Sequence, residues 1–332
     1  MILLRPSPFS HPKPKRLPIG RKAVTICAAT LAQDSKGIVC IADKALSYGD
    51  HIQWDSDTAK IFKLNRDCLL MFAGGEMEGS SILANLIEKT GELGGKSKQD
   101  SIKACEESYK LAMEGLIGKK FLAPRLLSKD RYVSAITAGE INKYIHSLAR
   151  EIDKFDMECD VLICGFDQNR NPFIVSLVYP GIATDMTQTG FHAIGSGWDK
   201  AVSRLLFSSH KRKHQFSRVL YDIFDAKAYA EMAAGVGYEW DAVVLIGRPI
   251  GYCDVSKEIK ELTERAWAKF NRSPFEKYNK KEDLPLPPKD WRKKLENFIN
   301  SEIVAELRKL EEEVERQKAA KQSAFQKSAQ VP

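Results

Sequence analysis

The stretch "GRKAVTICAATLAQDSKGIVCIAD", residues 20–43, reads as a β-hairpin. Two β-branched apolar runs, "VTICAATL" and "GIVCIAD", flank the polar turn "AQDSKG", the pattern of antiparallel strands joined by a short connection. Thr25 and Cys27 stand at its start, both able to act as nucleophiles, with 24 residues ahead of Thr25. Position 25 is therefore either an ordinary strand residue or, with those residues gone, the reactive end of the chain.

Beyond the hairpin, "TAKIFKL" and "CLLMFAGG" continue the run of strands. Helical periodicity follows in "EGSSILANLIEKTGEL", "SIKACEESYKLAMEGLIGK" and "GEINKYIHSLAREID". Strands resume in "ECDVLICGFD", "NPFIVSLVYP" and "TGFHAIGSG", then helices in "GWDKAVSRLLFSSH" and "FDAKAYAEMAAGVG", then a last buried strand, "DAVVLIG". Blocks of strands and helices in this order predict an α+β fold, antiparallel sheets covered by helices, and argue against a doubly wound parallel sheet. Around that domain, 24–250, lie two unlike segments. Residues 1–23 are proline-rich with no periodic apolar face, a disordered leader or upstream sequence wrongly included. Residues 251–332 form a charged helical tail, broken by "DLPLPPKDW" and ending in a mixed-charge helix at about 291–321.

Composition narrows the function classes. With 43% hydrophobic and 29% charged residues the chain fits a globular protein with a sizeable core. The net charge of +7 invites a nucleic-acid reading, but its distribution argues otherwise. Residues 1–24 carry six basic and no acidic side chains, residues 25–250 carry 27 against 29, and residues 251–332 carry 18 against 15. The central domain thus has no surplus of the kind that binds phosphate backbones, and no apolar run approaches the length of a membrane span. Seven scattered cysteines without a CxxC pair, mostly inside apolar runs, predict reduced core thiols in a cytoplasmic setting.

The familiar catalytic motifs are missing. The sequence has no GxxxxGK[ST] loop, no GxGxxG after a strand, no HExxH and no GxSxG. Its six histidines show no metal-ligand spacing, and "HKRKH" at 210–214 reads as a solvated basic loop. No cofactor and no metal are expected.

What stands out is a set of short signals in fixed order: "VTICAAT", "GIVCIAD", "TAKIFKL", "LLMFAGG", "DVLICGFD", "AIGSG" and "DAVVLIG". Together they resemble the proteasome β-subunit family of N-terminal nucleophile hydrolases, from about Thr25 to Gly247. The resemblance implies a four-layer αββα sandwich of two antiparallel sheets flanked by helices. It implies catalysis by Thr25 as nucleophile, with Asp43 closing the second strand, Lys60 seventeen residues on, Gly74 fourteen further as oxyanion donor, and Ser196 beside the nucleophile. It also implies a peptide or amide substrate, a homo-oligomer in rings, and an ATP-dependent unfolding partner.

The chemistry of such a set is direct. A threonine hydroxyl is a poor nucleophile, but a free α-amino group of pKa near ~8 on the same residue can take its proton. A lysine beside the hydroxyl, held charged by a carboxylate, favours the alkoxide. A backbone N–H aimed at the oxyanion is worth roughly 3 to 4 kcal/mol.

Departures from the family pattern keep alternatives open. The late Asp and Ser pair that supports the amine has no clean equivalent in "GVGYEWD". Eighteen residues separate Thr25 from Asp43, two more than usual; because side chains alternate with period two, the insertion preserves the face on which Thr25 lies. Without it Cys27 would take the position, making a cysteine-type amidase a further reading. Val24 before Thr25 is ill suited to self-cleavage, and an initiator codon at Val24 would expose Thr25 without it. A catalytically silent member, used for assembly with the 251–332 tail as contact arm, is the rival from another class.

Overall fold

The hairpin forms as read, with β1 at Cys27–Ala32 and β2 at Gly37–Asp43, antiparallel in a register that sets Cys27 opposite Ala42 and Ala32 opposite Gly37. Every residue of both strands is buried. Covered on both faces, they carry near-continuous apolar sequence instead of an apolar/polar alternation. The computed structural model describes residues 25–48, 52–55, 59–90, 97–139, 143–233, 236–247 and 251–270. The expected leader at 1–23, Val24 and the expected final helix at 291–321 lie outside them.

In chain order, β3 (Ala45–Tyr48) and β4 (Ile52–Asp55) form a small hairpin. They are followed by β5 (Ile61–Asn65), β6 (Cys68–Gly74), α1 (Glu76–Thr90), α2 (Lys98–Ile117), α3 (Lys129–Thr137) and α4 (Lys143–Ile152). Then come β7 (Cys159–Phe166), β8 (Pro172–Val178), β9 (Ile182–Asp185), β10 (Phe191–Ile194), α5 (Trp198–Phe207) and α6 (Phe216–Ala230). The described chain closes with β11 (Trp240–Gly247), β12 (Gly251–Asp254) and α7 (Lys257–Phe270).

Two five-stranded sheets result among the described residues, ordered β10-β1-β2-β11-β12 and β5-β6-β7-β8-β9, with every pairing antiparallel. Period-two alternation sorts the first hairpin between two apolar clusters. Ile26, Ala28, Val39 and Ile41 join side chains of α5 and α6, such as Leu205, Val219 and Phe224. Cys27, Ala29, Leu31, Ile38 and Cys40 meet Leu69, Met71, Leu162, Cys164 and Ile174 from the second sheet. The other face of that second sheet, through Leu70, Phe72, Val161, Ile163 and Val175, packs on Ile82 and Leu86 of α1 and Tyr109 and Ala112 of α2.

The short elements are where the structure adds to the sequence. β3, β4, α3 and β9 fall where no element was expected, and β12 opens the segment expected to be helical. The domain boundary expected at residue 250 lies between β11 and β12, which pair with each other. Past it, Val255 and Ile259 sit in the core, and Trp267 packs against that core and donates to Asp225 Oδ1 at 2.9 Å. Residues 251–270 are therefore continuous with the first sheet and its helices. No described helix is long and apolar enough to cross a membrane.

Candidate active site

Strand register alone brings three of the expected residues together. Cys27 lies opposite Ala42, so Ile26 faces Asp43; the Asp43 N–H donates to Ile26 O at 3.1 Å and the Ile26 N–H donates to Asp43 Oδ1 at 3.0 Å. On its other side Cys27 lies opposite Ile194 of β10, so Ser196, two residues past Ile194, reaches Thr25, and its hydroxyl donates to Thr25 O at 3.4 Å. Gly195 makes this approach possible. Its φ is +95°, and a Cβ there would stand 2.3 Å from Thr25 O.

Lys60 arrives from the second sheet, one residue before β5. It donates to Asp43 Oδ1 at 2.9 Å, to Ala45 O at 2.5 Å, and to the Thr25 hydroxyl oxygen, which in turn donates to Asp43 Oδ1. Thr25, Asp43 and Lys60 are all buried. Removing a lysine and an aspartate from water costs several kcal/mol per ion, which their attraction offsets only when the remaining protons and lone pairs are also satisfied. Here they are. Lys60 directs its three N–H bonds at three oxygens, and the second Asp43 oxygen, Oδ2, accepts the Gly237 N–H at 2.9 Å.

The arrangement can do specific chemistry. The Thr25 hydroxyl lies between an ammonium and a carboxylate, in a setting where charge interactions are stronger than in water. The ammonium favours negative charge on Oγ1, the condition for nucleophilic attack.

Gly74 ends β6. Ile61 pairs with Met71, so Lys60, Phe72 and Gly74 share one end of the second sheet, and the Cys27 thiol donates to Phe72 O at 3.5 Å across the inter-sheet core. At φ +144°, and with a would-be Cβ 2.2 Å from Glu158 O, position 74 accepts only glycine. Cys27 shares the face of Thr25 but lies deeper, fully enclosed. Burial pushes its thiol up to about 12, against the opposing pull of Lys60.

Three supporting features have no signature in the sequence. Gly237 in "GVGYEWD" acts through its backbone, holding Asp43. Lys227 of α6, fully buried, donates to Tyr238 O and to Glu231 Oε1, both at 2.5 Å, and so ties down the segment that presents Gly237. Asp160, opposite Ala73 in the β6–β7 ladder, accepts a hydrogen bond from the Gly195 amide; burial pushes its carboxyl up, and that amide pulls it the other way. Only the tertiary fold brings these groups to the site, so no local pattern could reveal them.

No family model matches the sequence, and no curated protein matches it. Solved structures do match. Anbu, an ancestral beta-subunit from Yersinia bercovieri, superposes with a TM-score of 0.54 at 11% identity, covering 79% of this chain and 100% of that one. Eukaryotic HslV from Trypanosoma brucei aligns with a TM-score of 0.45 at 15% identity, covering 67% of this chain and 99% of that one. At such identities the likeness is one of fold, and the chain shares the fold of the ancestral beta-subunit.

Proposed function

We propose that this chain is an N-terminal nucleophile hydrolase of the threonine peptidase or amidase type, built as a four-layer αββα sandwich. The observation that carries the reading is the buried contact of Lys60 and Asp43 with the Thr25 hydroxyl, completed by the Gly237 amide.

Loss of the residues before Thr25 frees its α-amino group. That amine then takes the Oγ1 proton as Oγ1 attacks the substrate carbonyl, and the Lys60 ammonium supports the negative charge on Oγ1. The Gly74 N–H stabilises the tetrahedral oxyanion. Collapse breaks the C–N bond, the proton passes from the α-amine to the leaving nitrogen, and an ester on Thr25 remains. Water, deprotonated by the same amine, attacks that ester and releases the acid, regenerating the hydroxyl. Ser196, on the Thr25 carbonyl, holds the nucleophile's backbone in place.

The threonine reading is preferred to the one through Cys27, whose thiol is enclosed and raised in pKa. Assembly of several copies into a ring, with an ATP-dependent unfolding partner, belongs to the same proposal and rests on the resemblance alone. A β-lactone or epoxyketone probe tests it. Wild-type protein beginning at Thr25 takes one adduct, and Thr25→Ala takes none. Absence of any adduct on such a chain would favour the silent assembly module.

A further inference from the structure

Far from Thr25, the segment joining α5 to α6 brings together three side chains outside the proposed chemistry. Asp222, on α6, presents Oδ2 to the Nδ1 atoms of both His210 and His214, each at 3.5 Å. The ligand atoms of the three lie within 4.8 Å of one another. The His210 and Asp222 side chains are each 1% exposed, yet neither His210 ring nitrogen nor Asp222 Oδ2 has a hydrogen-bond partner. Buried polar atoms are almost always satisfied, so the two of these that face each other, His210 Nδ1 and Asp222 Oδ2, call for a ligand.

We propose that His210, His214 and Asp222 form a structural binding site for a divalent d-block cation, zinc fitting best. In a tetrahedral zinc site with bonds of roughly 2.0 to 2.2 Å, neighbouring ligand atoms lie about 3.4 Å apart. Both Nδ1 to Oδ2 distances, 3.5 Å, fit such edges. A bound ion would take the His214 Nδ1 lone pair that otherwise accepts the Lys211 N–H in a long contact of 3.4 Å. The other Asp222 oxygen is held by Arg218 Nε at 2.7 Å, so Oδ2 is left for the ion and the carboxylate is oriented, as outer partners of metal ligands generally do. Calcium and magnesium are poor fits, because both require a set of oxygen ligands and this one is two imidazoles and a single carboxylate. His214, 23% exposed, lies on the open side, where solvent can complete the coordination.

The site has a structural consequence. The carbonyls of His214 and Arg212 accept the Gln33 and Asp34 amides of the β1–β2 turn, each at 2.8 Å. A bound ion therefore fastens to α6 the segment that holds the far end of the catalytic hairpin. The sequence conceals this, since "HKRKH" looks like a solvated basic loop and its third ligand lies eight residues downstream.

The test uses tag-free full-length protein, freed of metal by chelator and titrated with zinc chloride. One zinc per chain is expected by elemental analysis, with a lower melting temperature after chelation that zinc restores. His214→Gln, at the most exposed ligand, keeps the fold and weakens zinc at least by the ~10 to 100-fold that loss of an outer partner costs; Asp222→Asn, which retains an acceptor for Arg218, does the same. Cobalt substituted into wild type gives the visible absorption of a tetrahedral site, and His214→Gln loses it. Zinc binding that is equal in wild type and both variants would point to the cysteines and overturn the proposal. A melting temperature insensitive to chelation and zinc, in protein that holds no zinc, would overturn it too.

Discussion

The Thr25, Asp43 and Lys60 contact is a charge arrangement whose parts depend on one another. Lys60→Ala removes the ammonium and leaves Asp43 buried with backbone donors and one hydroxyl. Breaking a buried pair in this way costs about 3 to 5 kcal/mol, visible as a lower urea midpoint. Probe labelling of Thr25 should fall by about 10² to 10⁴, the range for loss of a positioned acid or base group. Cys27 behaves oppositely. With its thiol raised to about 12, native protein at pH 8 should leave Cys27 unalkylated by iodoacetamide while unfolded protein reacts, and Cys27→Ala should keep the labelling of Thr25. Asp160 supplies a pH test. Its folded pKa is raised, so folding favours the protonated form, and stability falls as pH climbs from the unfolded pKa through the folded one. Asp160→Asn keeps an acceptor for the Gly195 amide and removes that penalty, so its urea midpoint should exceed wild type at pH 7 and converge with it in acid. Thr25, Asp43, Lys60 and Ser196 were legible because each ends or adjoins a strand whose pattern is strong. Gly237, Lys227 and Asp160 were not, since a backbone amide carries no residue signature and a buried lysine looks like a solvated one until the fold encloses it.

Elements were legible in proportion to the strength of their pattern. The strands β1, β2, β6, β7, β8 and β11 are runs of six to eight residues dominated by buried apolar side chains, and all were anticipated. Those missed, β3, β4, β9 and β12, are four residues each and exist because a neighbouring strand supplies their hydrogen bonds, a condition invisible in local sequence. The packing of residues 251–270 was hidden for a related reason: α7 has a polar outer face, and only the core reveals why Ile259 and Trp267 recur on the other. Trp267 packs against Phe224 at 6.0 Å between ring centroids and donates to Asp225, and Trp240 donates to Glu264 at 2.7 Å. Trp267→Ala should therefore cost about 3 kcal/mol, measured by urea unfolding, as a core substitution would. A truly detached tail would show a change near zero.

At the scale of the molecule, the order of blocks was enough to predict antiparallel sheets covered by helices, because each block must bury its apolar face against another. The β1–β2 turn, where Gln33, Asp34 and Ser35 adopt positive φ, joins the strands in the register that sets Ile26 beside Asp43, and Thr25 reaches Lys60 from the opposing sheet. The site thus depends on two sheets meeting, while the proposed activity requires a free amine on Thr25. The most direct measurement is peptide-level mass spectrometry of full-length protein purified from cells and treated with a β-lactone probe. The account predicts chains beginning at Thr25 that carry a single adduct on that residue, and none in Thr25→Ala. Chains beginning at Thr25 that remain unmodified would contradict it.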